Sequence, residues 1–270
     1  MVKLPRLLTW TLRVLVAGYL ALLVAWPVAL VAQHTFADGL DAMRTALADP
    51  TVTHALWLTV EVAVLAVLVN LVFGVGISLL LVRYEFPGKR LLSALLDLPL
   101  SVSPVVVGLA LLLVYNGVDG WFGPTIERAG LQVVFSTPGM VMATVFVALP
   151  LVIREVVPIL EEIGDDQEQA ARSLGAGAWA TFRRVTLPSI KWAVAYGVVL
   201  SLARSLGEFG AVKIVSGNVV GSTQTTTLVV EQKYQDFEQS TAYAAAFLLA
   251  FAAVLCLVVV TVIRPKEEQK

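Results

Sequence analysis

The chain has 270 residues, of which 58% are hydrophobic and 14% are charged, and its mean hydropathy is +0.82. This composition lies outside the range of soluble globular domains and indicates an integral membrane protein. The net charge of −1 argues against nucleic-acid binding, because no basic surface could neutralise a phosphate backbone. The single cysteine, Cys256, can form no internal disulfide, and the two histidines have no Cys or His at metal-ligand spacing, so we predict no metal site.

Apolar stretches of membrane-spanning length recur along the whole chain. A transmembrane helix needs roughly 20 mostly apolar residues. Six stretches meet this requirement: 12–32, 56–82, 91–115, 139–160, 192–215 and 241–263. They predict an all-α polytopic membrane protein with six transmembrane helices, in a single domain over residues 1–270. The third stretch is interrupted by Pro99 and Pro104 and the fourth by Pro150 and Pro158. Such breaks are tolerated where neighbouring helices cover the freed backbone groups, so we expect both spans to be interior.

The distribution of Lys and Arg predicts the orientation in the membrane. Basic residues cluster in four places. They are the N-terminus (Lys3, Arg6), the second connection (Arg83, Lys89, Arg90), the fourth connection (Arg172, Arg183, Arg184, Lys191) and the C-terminal tail (Arg264, Lys266, Lys270). The alternate connections carry one basic residue each, Arg44, Arg128 and Lys233. We therefore expect both termini and the segment 167–188 to face the cytoplasm.

The segment 167–188, QEQAARSLGAGAWATFRRVTLP, is polar and charged but keeps a helical period. Its apolar positions Leu174, Ala178, Phe182 and Val185 recur at intervals of three or four residues, which favours one helix face. The glycines at 175 and 177 predict two short helical pieces separated by a turn and closed by Pro188. Such a helix either lies on the lipid surface or docks on a partner protein.

Nothing in the sequence predicts nucleotide chemistry or catalysis by this chain. The string nearest to a P-loop, Gly88-Lys89-Arg90, lacks the upstream glycine and the Ser or Thr that would reach magnesium. No Ser-His-Asp arrangement and no acid pair with a plausible base occur in the sequence. We therefore expect that this chain is not an enzyme, has no catalytic residue and binds no cofactor, and that a separate chain would supply any ATP-driven step.

The segment 167–188 resembles the cytoplasmic loop of ABC importer permeases, which reads EAA, three residues, G, nine residues, I, one residue, LP. Here Gln169-Ala170-Ala171 is followed at the same spacing by Gly175 and then by Val185-Thr186-Leu187-Pro188. Gln169 and Val185 depart from the pattern, and Gln169 lacks the charge of the usual Glu. In that family the loop is a coupling helix that seats on an ATPase. The resemblance implies ATPase docking through Gln169, Ala170, Ala171, Arg172, Leu174, Gly175, Trp179, Phe182, Leu187 and Pro188.

Longer strings are similar to the sulfate/thiosulfate permeases of the CysW type. They include FPGKRLLSALLDLPLSVSPVVVG at 86–108, REVVP at 154–158 and ARSLGEFGAV at 203–212. Molybdate and tungstate permeases, the alternative, share FPGK, EQAARSLGAG and ARSLGEFGA but look less like this chain at SVSPVVVG and REVVP. The resemblance implies a permease subunit of a sulfate or thiosulfate ABC importer in the inner membrane of a bacterial cell. Its implied partners are a second, CysT-like permease in a heterodimer, two CysA-like ATPase subunits that use ATP and Mg, and an external sulfate-binding protein.

Charged and hydroxyl side chains within the apolar stretches are candidates for an anion pathway, because they are costly in hydrocarbon. Arg204 and Glu208 are four residues apart on one helix face, with Ser201 and Ser205 nearby. They form either part of the path or a structural ion pair. Ser101 and Ser103 precede Pro104 and either face the path or re-satisfy the broken backbone.

Other charges are expected to join helices. The adjacent Arg154 and Glu155 point to different sides of their helix, and we expect them to hold spans four and five together. Asp97 is expected to pair with a neighbouring helix rather than to contact a transported anion.

Two other functional classes remain as alternatives. A stand-alone channel or secondary transporter would need its own coupling-ion site or inverted repeats, and neither is evident in the sequence. A membrane enzyme would need a nucleophile and a base.

Overall fold

The computed structural model describes residues 6–37 and 39–263. In these ranges the chain forms α-helices and two π-helical segments and no strand, and the α-helices are α1 Arg6–Leu20, α2 Trp26–Thr35, α3 Asp41–Ala48, α4 Pro50–Arg83, α5 Lys89–Ser101, α6 Pro104–Tyr115, α7 Gly123–Arg128, α8 Thr137–Ile163, α9 Asp166–Ser173, α10 Ala178–Thr181, α11 Leu187–Leu206, α12 Gly210–Ser216, α13 Thr226–Gln235 and α14 Gln239–Ile263. The π segments are Ala21–Ala25 and Phe182–Thr186. Lys3 and the tail residues Arg264, Lys266 and Lys270, on which the predicted orientation partly rests, lie outside the described residues.

Five helical stretches in the described residues are long and apolar enough to cross a membrane: Trp10–Thr35, Pro50–Arg83, Thr137–Ile163, Ala178–Leu206 and Gln239–Cys256. The pair α5 and α6 makes a sixth if its two helices, which are bent by 113° at their junction, together count as one span. The predicted all-α, multi-pass membrane fold is confirmed.

The two proline-containing stretches differ from each other. Val102 and Ser103, which precede Pro104, are extended, with ψ of 137° and 134°, and the chain bends there. A residue before proline is driven out of the helical region, which explains the bend. Pro99 lies inside α5 and does not end it.

α8, by contrast, remains one helix with Pro150 and Pro158 inside it, so the break predicted in the fourth span does not occur. Half of its most apolar window is buried, in agreement with the interior position expected for this span. Neighbouring helices can cover the carbonyls that proline leaves without a donor. The third span is interior only in its second half within this chain, because α5 has no buried residue whereas α6 buries Val107 and Gly108.

The helices α4, α8 and α11 come into close contact around Val152. A Cβ placed on Gly74 of α4 would lie 2.8 Å from Cγ1 of Val152, and one on Gly197 of α11 would lie 3.0 Å from its Cα. Only glycine permits both approaches, because a real Cβ would overlap the valine. This contact lies in an apolar cluster of Val75, Val152, Val156, Leu160, Ile190 and Val194, against which Phe182 also packs.

A charged cluster lies at the opposite end of α4 from Arg83. Asp49 caps α4 by accepting a hydrogen bond from the Thr51 N–H at 2.8 Å, and Lys233 of α13 lies 3.2 Å from Asp49 and 2.8 Å from Glu238. The hydrogen bond to Glu238, together with Asp49, raises the pKa of Lys233 despite partial burial. Burial raises the pKa of Asp49, but the bonds from Thr51 and Lys233 outweigh it and the pKa is lowered. These contacts fix α13 against the N-terminus of α4.

Candidate coupling segment and polar pathway

The segment that follows α8 forms α9, a turn and α10, as the two glycines predict. Gly175 adopts a φ of +86° just after α9. Its N–H donates to the Arg172 carbonyl at 2.9 Å, and the N–H of Ala176 donates to the Ala171 carbonyl at 3.0 Å. This pair of bonds is a Schellman motif, which requires a left-handed residue and therefore favours glycine. Gly175 thus sets the angle between α9 and α10.

The second helical piece is not closed by Pro188, contrary to the sequence prediction. α10 continues through the π segment Phe182–Thr186 into α11. In that segment the N–H of Leu187 bonds to the carbonyl of Phe182, five residues earlier. Proline lacks an N–H and its ring crowds the carbonyl four residues before it, and a wider π turn accommodates both effects. The helix α10 is therefore continuous with the transmembrane helix α11, whereas α9 is separated from it by the turn at Gly175. We call residues 167–188 the coupling segment, after the role predicted for them.

The predicted docking residues divide into an exposed and an inward-facing group. Leu174 is 89% exposed and Trp179 is 70% exposed. Also exposed are Gln169, Ala170, Arg172, Gly175, Leu187 and Pro188, whereas Ala171 is half-buried. Phe182 is half-buried and packs against the apolar cluster around Val152, with its ring 5.6 Å from that of Trp179. We call the exposed pair Leu174 and Trp179 the docking knobs.

A buried charge that the sequence analysis did not single out lies beside Gln169. Glu168 is buried, and its Oε2 accepts a hydrogen bond from Nε of Arg83 at 3.1 Å. Gln169 itself is exposed. The sequence contains both charges, but only the arrangement of α4 beside α9 shows that they meet. The acid that is absent at position 169 is thus present one residue earlier and faces the opposite way.

Two of the predicted pathway hydroxyls are buried and already bonded. Ser201 Oγ accepts a hydrogen bond from Asn70 Nδ2 at 3.2 Å, and Ser205 Oγ donates to the Ser201 carbonyl at 2.7 Å. Both serines therefore serve contacts within the bundle. Ser101 and Ser103 are exposed at the bend between α5 and α6, and Ser103 precedes α6 without a side-chain cap bond.

Arg204 and Glu208 form the ion pair that their spacing predicts. Arg204 Nη1 lies 2.8 Å from Glu208 Oε2, with the arginine side chain 38% exposed and the glutamate 2% exposed. Glu208 Oε1 also accepts the Ala211 N–H at 3.1 Å, and the Glu208 carbonyl accepts the Thr227 hydroxyl at 3.0 Å. The glutamate thereby holds the break between α11 and α12. The exposed part of the arginine leaves guanidinium N–H groups directed away from the buried carboxylate.

The break after α11 lies beside the bend before α6. A Cβ on Gly210 would be 3.1 Å from Cβ of Pro104, and one on Gly108 would be 2.8 Å from the carbonyl of Ala211. The two interrupted helices therefore start side by side and run together. Ser103 directly precedes α6, and Glu208 lies in the break directly before α12. Because the starts of α6 and α12 are in contact, the fold brings these two breaks close together.

The arrangement of Arg154 differs from expectation. Its Nη2 lies 2.9 Å from Oδ1 of Asp97, so it joins α8 to α5 rather than to span five. A Cβ on Gly197 would lie 3.5 Å from the Cβ of Glu155, which places Glu155 on the side of α8 that faces α11. The two neighbours point to different helices, as predicted, and Asp97 has the helix-bridging role expected for it.

Comparison with solved structures gives the class of the fold. The chain is similar to a chain in the crystal structure of a bacterial alginate ABC transporter in complex with alginate pentasaccharide-bound periplasmic protein. The two have 18% sequence identity and a TM-score of 0.75, and the likeness covers 95% of this chain and 92% of the other. The fold is therefore one that bacterial ABC transporters use.

The family follows from the sequence matches. Residues 70–266 match the model of the binding-protein-dependent transport system inner membrane component, and this chain belongs to that family. It is 48% identical to the sulfate transport system permease protein CysW of Synechococcus elongatus over 89% of this chain and 84% of the relative. It is 38% identical to the sulfate transport system permease protein CysT of Escherichia coli over 78% of this chain and 76% of the relative. The resemblance to CysW-type permeases stated from the motifs is confirmed.

Proposed function

We propose that this chain is the permease subunit of an ATP-driven importer of sulfate or thiosulfate, and that it is not itself catalytic. The observation that carries the proposal is the 48% identity with a sulfate transport permease over 89% of the chain. The fold shared with a bacterial ABC transporter supports the same class. The second permease is proposed to be CysT-like, in line with the lower but extensive identity to CysT.

The docking knobs support a cytoplasmic ATPase partner. Trp179 is exposed on α10, which is continuous with α11, so a push on it is transmitted to a transmembrane helix. Leu174 is exposed directly after α9, on the other side of the Gly175 turn. Large apolar anchors that fill a partner's pocket dominate the free energy of many interfaces. Two ATPase subunits would bind ATP and Mg, hydrolyse the nucleotide and move the coupling segment, while both termini of the chain lie in the cytoplasm.

The paired breaks support an anion path between this chain and the second permease. The start of α6 directs backbone N–H groups toward the bend, where Ser101 and Ser103 are exposed. Arg204 adds a cation with donors that Glu208 does not occupy. Such a field suits a divalent oxyanion. In this proposal Ser201, Ser205 and Glu208 hold the path in shape rather than contact the anion.

Reconstitution tests the proposal. The chain is co-purified with the second permease, the ATPase subunits and the binding protein, and uptake of labelled sulfate into proteoliposomes is measured. We expect uptake that requires both ATP and the binding protein and that excess thiosulfate inhibits. Uptake of labelled molybdate or tungstate without uptake of sulfate would favour the molybdate and tungstate alternative. Sulfate entry through this chain alone without ATP would instead identify a stand-alone transporter.

A further inference from the structure

The cytoplasmic end of the bundle contains one carboxylate that is almost completely buried. Glu168 is 6% exposed and is the only buried residue of α9, whose eight residues are all described. An ionised carboxylate in such a place is costly unless it is paired and hydrogen-bonded. The contacts of Glu168 therefore determine how α9 is attached to the rest of the molecule.

Glu168 is bound from two other elements. Arg83, the last residue of α4, donates from Nε to Oε2 at 3.1 Å and from Nη2 to Oε1 at 3.3 Å. Thr186, in the π segment that leads into α11, donates its hydroxyl to Oε1 at 2.9 Å. The two-point approach of the guanidinium fixes direction as well as distance, since its planar fork matches a carboxylate.

Arg83 also binds the end of α8. Its Nη1 donates to the carbonyl of Leu160 at 3.0 Å and its Nη2 to that of Gly164 at 2.7 Å. The last carbonyls of a helix have no intrahelical partner and carry the negative end of its dipole, so a cation is favoured there. One guanidinium thus connects α4, α8 and α9, and the Thr186 hydroxyl adds the base of α11.

We propose that Arg83, Glu168 and Thr186 form a coupling latch that transmits displacement of α9 to the helices α4, α8 and α11. The inference rests on the proposed function and assigns positioning residues for it. Of the docking knobs, Leu174 directly follows α9, so a partner that pushes it displaces α9 and meets the bundle through the latch. Trp179 lies on α10, which continues directly into α11. The other side chains of α9 are exposed or half-buried, which leaves Glu168 as its buried attachment.

The alternative is a staple that holds the fold and transmits nothing. The two roles differ in one measurable ratio, the sulfate taken up per ATP hydrolysed. Loss of a staple lowers the amount of assembled complex, and uptake and hydrolysis fall together. Loss of a coupling contact leaves hydrolysis and lowers uptake.

The test uses the complete complex in proteoliposomes with Glu168→Gln, which keeps the size and an acceptor for Thr186 but removes the ion pair. We expect ATP hydrolysis close to that of the unaltered complex and a fall of about tenfold in the uptake per ATP, within the usual range of coupling between two sites. Glu161→Gln is the matched control, because Glu161 is an exposed carboxylate near the end of α8. This control is expected to leave the ratio unchanged.

Two further variants keep the test decisive if Glu168→Gln fails to assemble. Arg83→Lys keeps the charge but cannot reach the carboxylate and both carbonyls at once, and Thr186→Val removes only the hydroxyl. A lowered uptake per ATP in either variant supports the latch, and an unchanged ratio in all assembled variants overturns it. If the unaltered complex itself imports no sulfate with ATP, the proposed function fails rather than the latch alone.

Discussion

The Arg204 side chain is partly exposed but is paired with the buried carboxylate of Glu208, and this determines what a substitution of Arg204 can reveal. Its carboxylate partner Glu208 is buried and also bonds the start of α12. Removing the arginine would leave that charge without a partner, a loss that costs about 3–5 kcal/mol in buried pairs. A defect in Arg204→Ala would therefore reflect folding as much as transport.

Arg204→Lys separates the two roles at the scale of the residue. Lysine keeps a positive charge for Glu208 but lacks the planar fork and its additional donors. If Arg204 contacts the anion, sulfate uptake in proteoliposomes falls roughly ten- to a hundredfold, as expected for loss of a charged hydrogen bond of about 1.5–3 kcal/mol, while the complex still assembles. Arg44→Lys, in an exposed pair with Asp41, is the control and should transport normally. Normal uptake in Arg204→Lys would assign this arginine to the structural pair alone.

Position 169 shows how a single residue can mislead a motif comparison. The usual acid of the loop is glutamine here, and that side chain is exposed. The neighbouring Glu168 is the one that turns inward to Arg83. On a helix, adjacent positions are separated by about 100°, so one faces the bundle while the other faces outward. The missing charge at position 169 therefore leaves the internal ion pair intact.

At the scale of the element, the angle between α9 and α10 depends on a left-handed residue. Gly175 has a φ of +86°, whereas Gly177, in the same exposed turn, has a φ of −70°. No heavy atom lies within 4 Å of a Cβ built at either position. A substitution at Gly175 is consequently strained by its backbone and not by crowding.

This difference gives a matched pair of variants. Gly175→Ala should strain the turn by about 1–2 kcal/mol and change the angle between α9 and α10, which alters the positions of the two docking knobs relative to each other. The amount of ATPase subunit that co-purifies with the permease should fall several-fold, because about 1.4 kcal/mol corresponds to a factor of ten in binding. Gly177→Ala adds the same methyl group without positive φ and should retain the ATPase. Equal retention by both variants would show that the Schellman turn does not set the docking geometry.

Proline has three different effects in this chain, and the surroundings explain them. Before Pro104 the chain bends by 113°, and α5 on the near side has no buried residue. In α8, Pro150 and Pro158 leave one continuous helix that is half-buried. Pro188 is accommodated by a preceding π turn. A proline removes one donor in every case, but neighbouring helices and local rewinding decide whether the helix continues.

For the whole molecule, orientation in the membrane is the prediction that most needs a measurement. The placement of the coupling segment in the cytoplasm follows from the distribution of basic residues. Arg83 and Asp49 lie at opposite ends of α4, so the latch and the Lys233 cluster face opposite sides of the membrane.

Cysteine labelling checks the orientation. Cys256 is the only native cysteine and is replaced by serine, after which Ser173→Cys or Ser222→Cys is introduced at an exposed position. A membrane-impermeant maleimide should label Ser222→Cys in intact cells and Ser173→Cys only after the membrane is opened. Labelling of Ser173→Cys in intact cells would show that the orientation is the reverse of the predicted one, with the docking knobs outside the cytoplasm and out of reach of a cytoplasmic ATPase.

The sequence by itself determined the membrane class, the apolar stretches, the two-piece coupling segment with its turn at Gly175, and the pairing of Arg204 with Glu208. These features depend on composition and on spacing within one element, which a linear pattern records. Only the tertiary structure decided that Glu168 meets Arg83, that Arg154 meets Asp97, that Ser201 and Ser205 are buried, and that α8 continues through its prolines. Each of these features depends on which helices pack against one another. Residues distant in sequence determine which side chains are buried, which charges pair, and whether the carbonyl groups that a proline leaves without a donor are covered.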